Sequence, residues 1–312
     1  MNSNLSGPLL ILASAVFFSV TGTLQALAPD GATPWAVAAV RVLASTLVLF
    51  LWCALSGRLP RISRNLPWRS ILVCAVCTSF YQVFFFAGAQ KLGVAVGTVV
   101  CVGATPVMAA IVGMIFRKRF PRPMWYAATA VAVLGIALLN VQSFEAGNLG
   151  WIVLPLLGAL VYGVYMNASP GISSRMNPEA GIMLSLALVS LFLSPALFLY
   201  PVDWAWNTSR GLLVTAAFGL AGGLGFGLFF LGMKHTTPVV SATLSLAEPM
   251  GAACWGIFLL GEDKSLPTVA GILIILAAIG ILIWDGARQG KAAEEKPAKR
   301  QAAIRLRPEG AA

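Results

Sequence analysis

The sequence predicts an all-α integral membrane protein of ten transmembrane helices, and three observations carry this. Only 10% of its 312 residues are charged and 58% are hydrophobic, where a soluble chain carries about 25% charged residues, so too few charges remain for a water-facing surface. The apolar residues gather in stretches of about 20, the length that crosses a hydrocarbon core about 30 Å thick. The period-two alternation of a half-buried strand is absent, which excludes a membrane barrel.

The segments follow in order. The first runs from Gly7 to Leu27; no basic n-region precedes it, so it reads as a retained helix and not as a cleaved signal. The second runs from Pro34 to Leu55, the third from Ser70 to Gln90, the fourth from Ala95 to Phe116 and the fifth from Met124 to Val141. The sixth runs from Leu149 to Ala168, the seventh from Gly181 to Tyr200, the eighth from Gly211 to Met233, the ninth from Pro238 to Leu260 and the tenth from Pro267 to Trp284. Trp35, Trp125, Trp151, Trp204 and Trp206 fall near segment ends, where interfacial anchors sit. The tail from Lys291 is rich in Ala, Glu, Lys and Arg and is expected to be disordered or to lie on an anionic leaflet.

A net charge of +10 does not indicate nucleic acid here, because the cations cluster in loops and tail. With the N-terminus inside, 17 Lys and Arg fall on the inner side: Arg58, Arg61, Arg64, Arg69, Arg117, Lys118, Arg119, Arg122, Arg175, Lys234 and the tail. Lys91, Arg210 and Lys264 make three outside. That bias predicts both termini in the cytoplasm, an even number of spans and a location in the inner (plasma) membrane. The five cysteines lie in apolar segments; Cys74 and Cys77 form a CxxC with no second pair, so neither metal nor disulfide is expected.

The two halves align on themselves. An offset of 143 places Lys91 on Lys234, Ala104 on Ala247, Pro106 on Pro249 and Gly113 on Gly256, and an offset of 144 places Ala15 on Ala159 and Val20 on Val164. Residues 1–142 and 143–286 then form two five-helix repeats, with 287–312 as a basic cytoplasmic tail. An odd number of helices per repeat inserts the second upside down. That is the arrangement of secondary transporters, with substrate bound near the midplane between repeats.

The stretch SLAEPMGAACWGIFLLGEDKSLPTVAGILIILAAIGILI, Ser245 to Ile283, resembles the closing part of an EamA domain: Glu-Pro, a small-residue helix, Leu-Gly-Glu, then a helix with spaced glycines. TPVMAAIVGMIFRKRFPRPMWYAATAVAVLGIALL, Thr105 to Leu139, keeps the same frame but has Thr105 before the proline and Arg119 at the later Glu position. The resemblance, over residues 5 to 285, is to the drug/metabolite transporter superfamily, and looks most like its aromatic and hydrophobic amino-acid exporter branch. It implies an exporter of small amino-acid-like metabolites, working by alternating access with no cofactor. Purines, cationic drugs and nucleotide sugars stay open as substrates, and a channel or scaffold without turnover is the remaining rival.

A charge deep in the bilayer costs about 2.5–3.5 kcal/mol or more and marks a site or a partner. Two charges read as lying inside helices, Glu248 in the ninth and Arg41 in the second. Glu248 is a candidate for a substrate amino group or a proton; its structural alternative is a carboxyl bonded to backbone freed by Pro249, or paired with Arg41. Polar and aromatic stripes at helical spacing give the other cavity candidates: Phe17, Thr21 and Gln25; Thr78, Tyr81, Gln82 and Phe85; Tyr162 and Tyr165 with Ser169. Arg41, Pro106, Gly223, Gly225 and Pro249 are gating or packing candidates. Nothing forms the paired acid, base or nucleophile of an enzyme. The expected partners are an amino-acid substrate and the lipid bilayer, with proton coupling through Glu248 open and no nucleic acid.

Overall fold

The computed structural model describes residues 3–92, 94–118, 120–139, 141, 149–261 and 265–305; the positions of Arg119, Glu262 and Lys264 lie outside them. Every regular element among the described residues is helical: α1 (Ser3–Ala26), α2 (Pro34–Leu55), α3 (Trp68–Leu92), α4 (Val94–Arg117), α5 (Pro123–Leu139), α6 (Val153–Ala168), α7 (Pro170–Ser173), α8 (Pro178–Leu199), α9 (Ser209–Met233), α10 (Pro238–Leu244), α11 (Ala247–Trp255) and α12 (Leu266–Arg305). Nine helical segments among the described residues are long and apolar enough to cross a bilayer, and α5, at 17 residues, is shorter. The N-termini follow local chemistry. Thr33, Thr208 and Thr237 each accept a backbone N–H of the first turn with the side-chain oxygen, and Pro34 and Pro238 sit where a missing N–H costs nothing. Past Asp285 the backbone of α12 stays helical to Arg305, through a stretch rich in Ala, Glu, Gln, Lys and Arg that also contains Gly286, Gly290 and Pro297.

The ninth segment departs from the continuous helix that its hydropathy predicts. It breaks at Ser245–Leu246 into α10 and α11. Pro249 contributes to the break, because its ring nitrogen has no hydrogen to give the Ser245 carbonyl. The Glu248 N–H takes that carbonyl at 2.9 Å from three residues away, and Leu246 N–H reaches Thr243 O at 3.1 Å in the same tightened way. Glu248 therefore stands in the first turn of α11, not mid-helix. Pro106 occupies the matching place in α4, which runs through it unbroken.

Packing repeats when the halves exchange. α1 lies on α9 as α6 lies on α3, α11 lies on α1 as α4 lies on α6, and α2–α8 and α5–α12 pair with themselves. The atoms agree. Gly163 of α6 lets α4 come so close that an added Cβ would stand 2.8 Å from the Met108 carbonyl carbon; at the matching contact an added Cβ on Gly251 of α11 would stand 2.6 Å from Ser19 Oγ of α1. Thr46 and Ser190, themselves 144 residues apart, share a hydrogen bond of 3.2 Å between α2 and α8. These two helices run antiparallel: Val37 and Val40 lie with Leu197, and Arg58 beyond the end of α2 meets Glu179 at the start of α8.

The described interior holds a further charge that hydropathy hides. Glu179 is 1% exposed, and its Oε1 accepts from Nη1 of Arg58, itself 53% exposed, at 2.5 Å. Of the tryptophans expected at the interface, Trp151 and Trp206 are exposed, and Lys91 Nζ sits 5.5 Å from the Trp151 ring. Trp125 and Trp204 are buried instead; Trp125 Nε1 donates to Thr243 Oγ1 at 2.8 Å and so ties α5 to α10. Gly223 and Gly225 lie in an unbroken α9, where added Cβ atoms would press on Val48 and on the Phe18 ring.

The ion pair predicts an asymmetric response. Arg58→Ala strands a buried carboxylate and lowers stability by about 1–3 kcal/mol, whereas Glu179→Gln leaves Arg58 in solvent and costs less. Thermal unfolding in detergent checks the order; equal losses would show that the burial of Glu179 does not matter.

Candidate functional site

Helices α1, α2, α3, α4, α6, α9 and the broken pair α10–α11 enclose a cavity of 1110 Å³. Its walls carry Phe18, Thr21, Gly22 and Gln25 from α1, Arg41 and Ser45 from α2, and Thr78, Tyr81, Gln82 and Phe85 from α3. Thr98 and Thr105 come from α4, Tyr162 and Tyr165 from α6, Phe226 from α9, and Ser245, Glu248 and Pro249 from the break. Thr21, Gln25, Thr78, Tyr81, Gln82, Phe85, Tyr162, Tyr165 and Glu248 thus face one space, as do the gating candidates Arg41 and Pro249. Phe17 does not line it; its neighbour Phe18 does, with its ring edge-on to Phe226 at 4.8 Å. Pro106, Gly223 and Gly225 lie outside the lining. Ser169 is fully buried and donates to Met166 O at 3.0 Å.

The cavity has an aromatic wall and a charged one. Tyr81 lies 5.8 Å from Phe85 and 5.0 Å from Tyr162, and Tyr162 lies 5.1 Å from Tyr165. Among the lining residues Arg41 is the Arg or Lys and Glu248 the acid. They attract each other across the site, yet among the described residues they form no direct ion pair. The break in the ninth segment puts Glu248 on the wall, and Thr243 near the end of α10 is held by Trp125 and by Thr129, whose Oγ1 lies 3.1 Å from that of Thr243. The Tyr165 hydroxyl is buried without a hydrogen-bond partner among the described residues, in a wall that a polar ligand or water would satisfy. Among the described residues no group of three or more His, Cys, Asp or Glu is placed to hold a metal ion.

Phe18, Phe226 and Thr105 escaped the sequence reading, though Thr105 carried a signal: it is the residue where the repeat has Glu248. Thr105 Oγ1 turns back to Cys101 O at 2.8 Å, so the first half supplies a hydroxyl where the second supplies a carboxyl.

The sequence profile of the EamA-like transporter family matches residues 5–141 and again residues 149–284. The chain belongs to the EamA-like transporter family. A Bacillus subtilis (strain 168) protein called uncharacterized transporter YwfM is 34% identical over 254 residues, which is 78% of this chain and 82% of that protein. A crystal structure described only as that of a protein superposes with a TM-score of 0.76 at 16% identity, over 89% of this chain and 98% of its own; at that identity the likeness concerns the fold alone. The sequence offset of 143 pairs Thr105–Pro106 with Glu248–Pro249, and in the structure Thr105, Glu248 and Pro249 reach the same cavity.

The cavity reaches one end of the bundle. Its lining extends to Thr33 and Trp35 at the start of α2, Tyr200 after α8 and Thr268 in the first turn of α12. Toward the other end, where Gly7 lies against His235, buried Phe229, Phe230, Met233 and Leu244 fill the core beyond Tyr165. A charged thiol reagent that cannot cross the bilayer should therefore label Thr33→Cys and Gln25→Cys from one face and Ser174→Cys from the other, in a protein without native cysteines. Labelling of all three from one face would contradict this polarity.

Proposed function

We propose that the chain is a ten-span exporter of small zwitterionic amino acids, aromatic or otherwise hydrophobic, working by alternating access. The observation that carries the reading is one cavity with a cation, an anion and an aromatic wall. A substrate carboxylate would pair with Arg41, for which guanidinium geometry is suited. The ammonium would meet Glu248, and the apolar side chain would lie against Tyr81, Phe85, Tyr162 and Phe18. A ligand bearing both charges satisfies both walls at once, which a neutral or singly charged one does not.

Two inverted five-helix repeats, residues 1–142 and 143–286, supply the exchange of access in this proposal. The two family matches, the antiparallel α2 and α8, and the mirrored contacts at Gly163 and Gly251 support it. In this reading α5 is the tenth span; 17 residues fall at the short end of the crossing range of about 17–25. Arginine and lysine distribution supports both termini in the cytoplasm, so the cavity faces away from the cytoplasm. Glu248 either binds the ammonium or also carries a proton; the driving force is facilitated diffusion or proton antiport accordingly.

Uptake of labelled phenylalanine, tryptophan, threonine and methionine into proteoliposomes, with and without a pH gradient, tests this. Saturable uptake above empty liposomes is expected. Arg41→Gln should lower uptake efficiency about 10- to 100-fold, the worth of a charge-assisted hydrogen bond. Gradient dependence lost in Glu248→Gln would assign the proton to that carboxyl. No uptake of any of the four by folded protein would sink the amino-acid reading, and retained transport of cationic drugs lost in Glu248→Gln would move the substrate to that class.

A further inference from the structure

A second concavity lies at the other end of the bundle and shares no residue with the central cavity. It is shallow and open, of 760 Å³, where three connections meet: α2 to α3, α7 to α8 and α9 to α10. The first brings Arg58 and Arg61, the second Ser173, Ser174 and Asn177, the third Lys234 and His235. No acidic residue lines it. Glu179 stands just behind, spent on Arg58 through Oε1. Among the described residues neither Arg61 nor Lys234 has an acidic partner, so the concavity presents two uncompensated cations beside the Arg58 guanidinium, with the exposed Ser174 hydroxyl and Asn177 amide on its far wall; Ser173 is buried and donates to Ser169 O.

From this we infer that the concavity is a binding site for the headgroup of an anionic phospholipid. The ligand's phosphate calls for several convergent N–H and O–H donors and positive charge, which is what the lining offers. A lipid, and not a dissolved anion, fits the setting. The site lies at the ends of apolar spans, just past Leu55 of α2 and Met233 of α9, where a headgroup stands. The end of α2 and the connection that supplies both arginines expose Leu55 at 89%, Leu59 at 45% and Ile62 at 77%, apolar surface suited to acyl chains beside the phosphate. Basic pockets between membrane helices at the positively biased face are placed to take such headgroups. The Arg58–Glu179 pair has a second use in this account: it holds the α2–α3 connection against α8, and so fixes one wall of the site. A lipid bound here touches three connections that belong to both halves of the chain.

Native mass spectrometry of the purified full chain, titrated with phosphatidylglycerol, cardiolipin and phosphatidylcholine, tests the inference. Selective retention of the two anionic lipids is expected. Arg61→Gln combined with Lys234→Gln should weaken their binding about 30-fold, which is about 2 kcal/mol, the worth of two basic residues near an anionic surface. A control that removes Arg69 and Arg122, exposed cations outside the lining, should keep the preference. Size-exclusion behaviour and thermal unfolding establish that each variant is folded, and the single variants replace the double one if it is not. Equal retention of phosphatidylcholine by the wild type, or an unchanged preference in the folded lining variants, overturns the site. Stabilisation by inorganic phosphate equal to that by the lipids, lost in the same variants, overturns the lipid and leaves a dissolved anion as the ligand. The readout is lipid binding alone, so failure of the transport assay does not bear on it.

Discussion

Backbone hydrogen bonding without water is the constraint on which this molecule rests. In hydrocarbon an unpaired N–H or C=O costs several kcal/mol, so the chain must be helical wherever lipid surrounds it. It can be irregular only where protein or a polar cavity takes over. The break at Ser245–Leu246 obeys that rule. It faces the cavity, its freed carbonyls are taken up by tightened bonds from Leu246 and Glu248, and the hydroxyls of Ser245 and Thr243 fold back onto Ser241 O and Val239 O. A proline alone does not break a helix here, since α4 passes through Pro106 intact.

The same constraint explains how the halves differ while their packing matches. Small residues let helices approach where lipid gives no hydrophobic drive between them. At one of the two matching contacts the glycine is on α6, against Met108 of α4; at the other it is on α11, against Ser19 of α1. The approach is kept and the chemistry is changed. Both contacts join the two halves: Trp255 Nε1 donates to Ser19 Oγ at 2.9 Å where α11 meets α1, and Asn167 Nδ2 donates to Ala109 O at 2.9 Å where α6 meets α4. One half is straight at its proline and offers Thr105; the other is broken and offers Glu248. A single carboxyl in the lining follows from that difference.

Charge is distributed by the same economy. Arg41 and Glu248 share a polar cavity, and Glu179 is buried against a half-exposed Arg58. Each charge in the apolar region has an opposite charge or a cavity beside it, as the high cost of an isolated ion there requires.

Composition and hydropathy determined the class of protein, because apolar runs of spanning length leave few alternatives, and nearly every segment was legible to within a few residues. The Glu-Pro landmark and the spacing of aromatic and polar residues pointed to most of the cavity wall, since residues at helical spacing share a face whatever that face meets. Tertiary structure decided the rest. Phe18 replaced Phe17 in the wall because the rotation of α1 is set by its contacts with α9 and α11. The burial of Glu179, Trp125 and Trp204 depended on neighbours from distant parts of the chain. The break beside Glu248 depended on whether the neighbours of a proline hold the helix straight, and a linear pattern of residues does not carry that information.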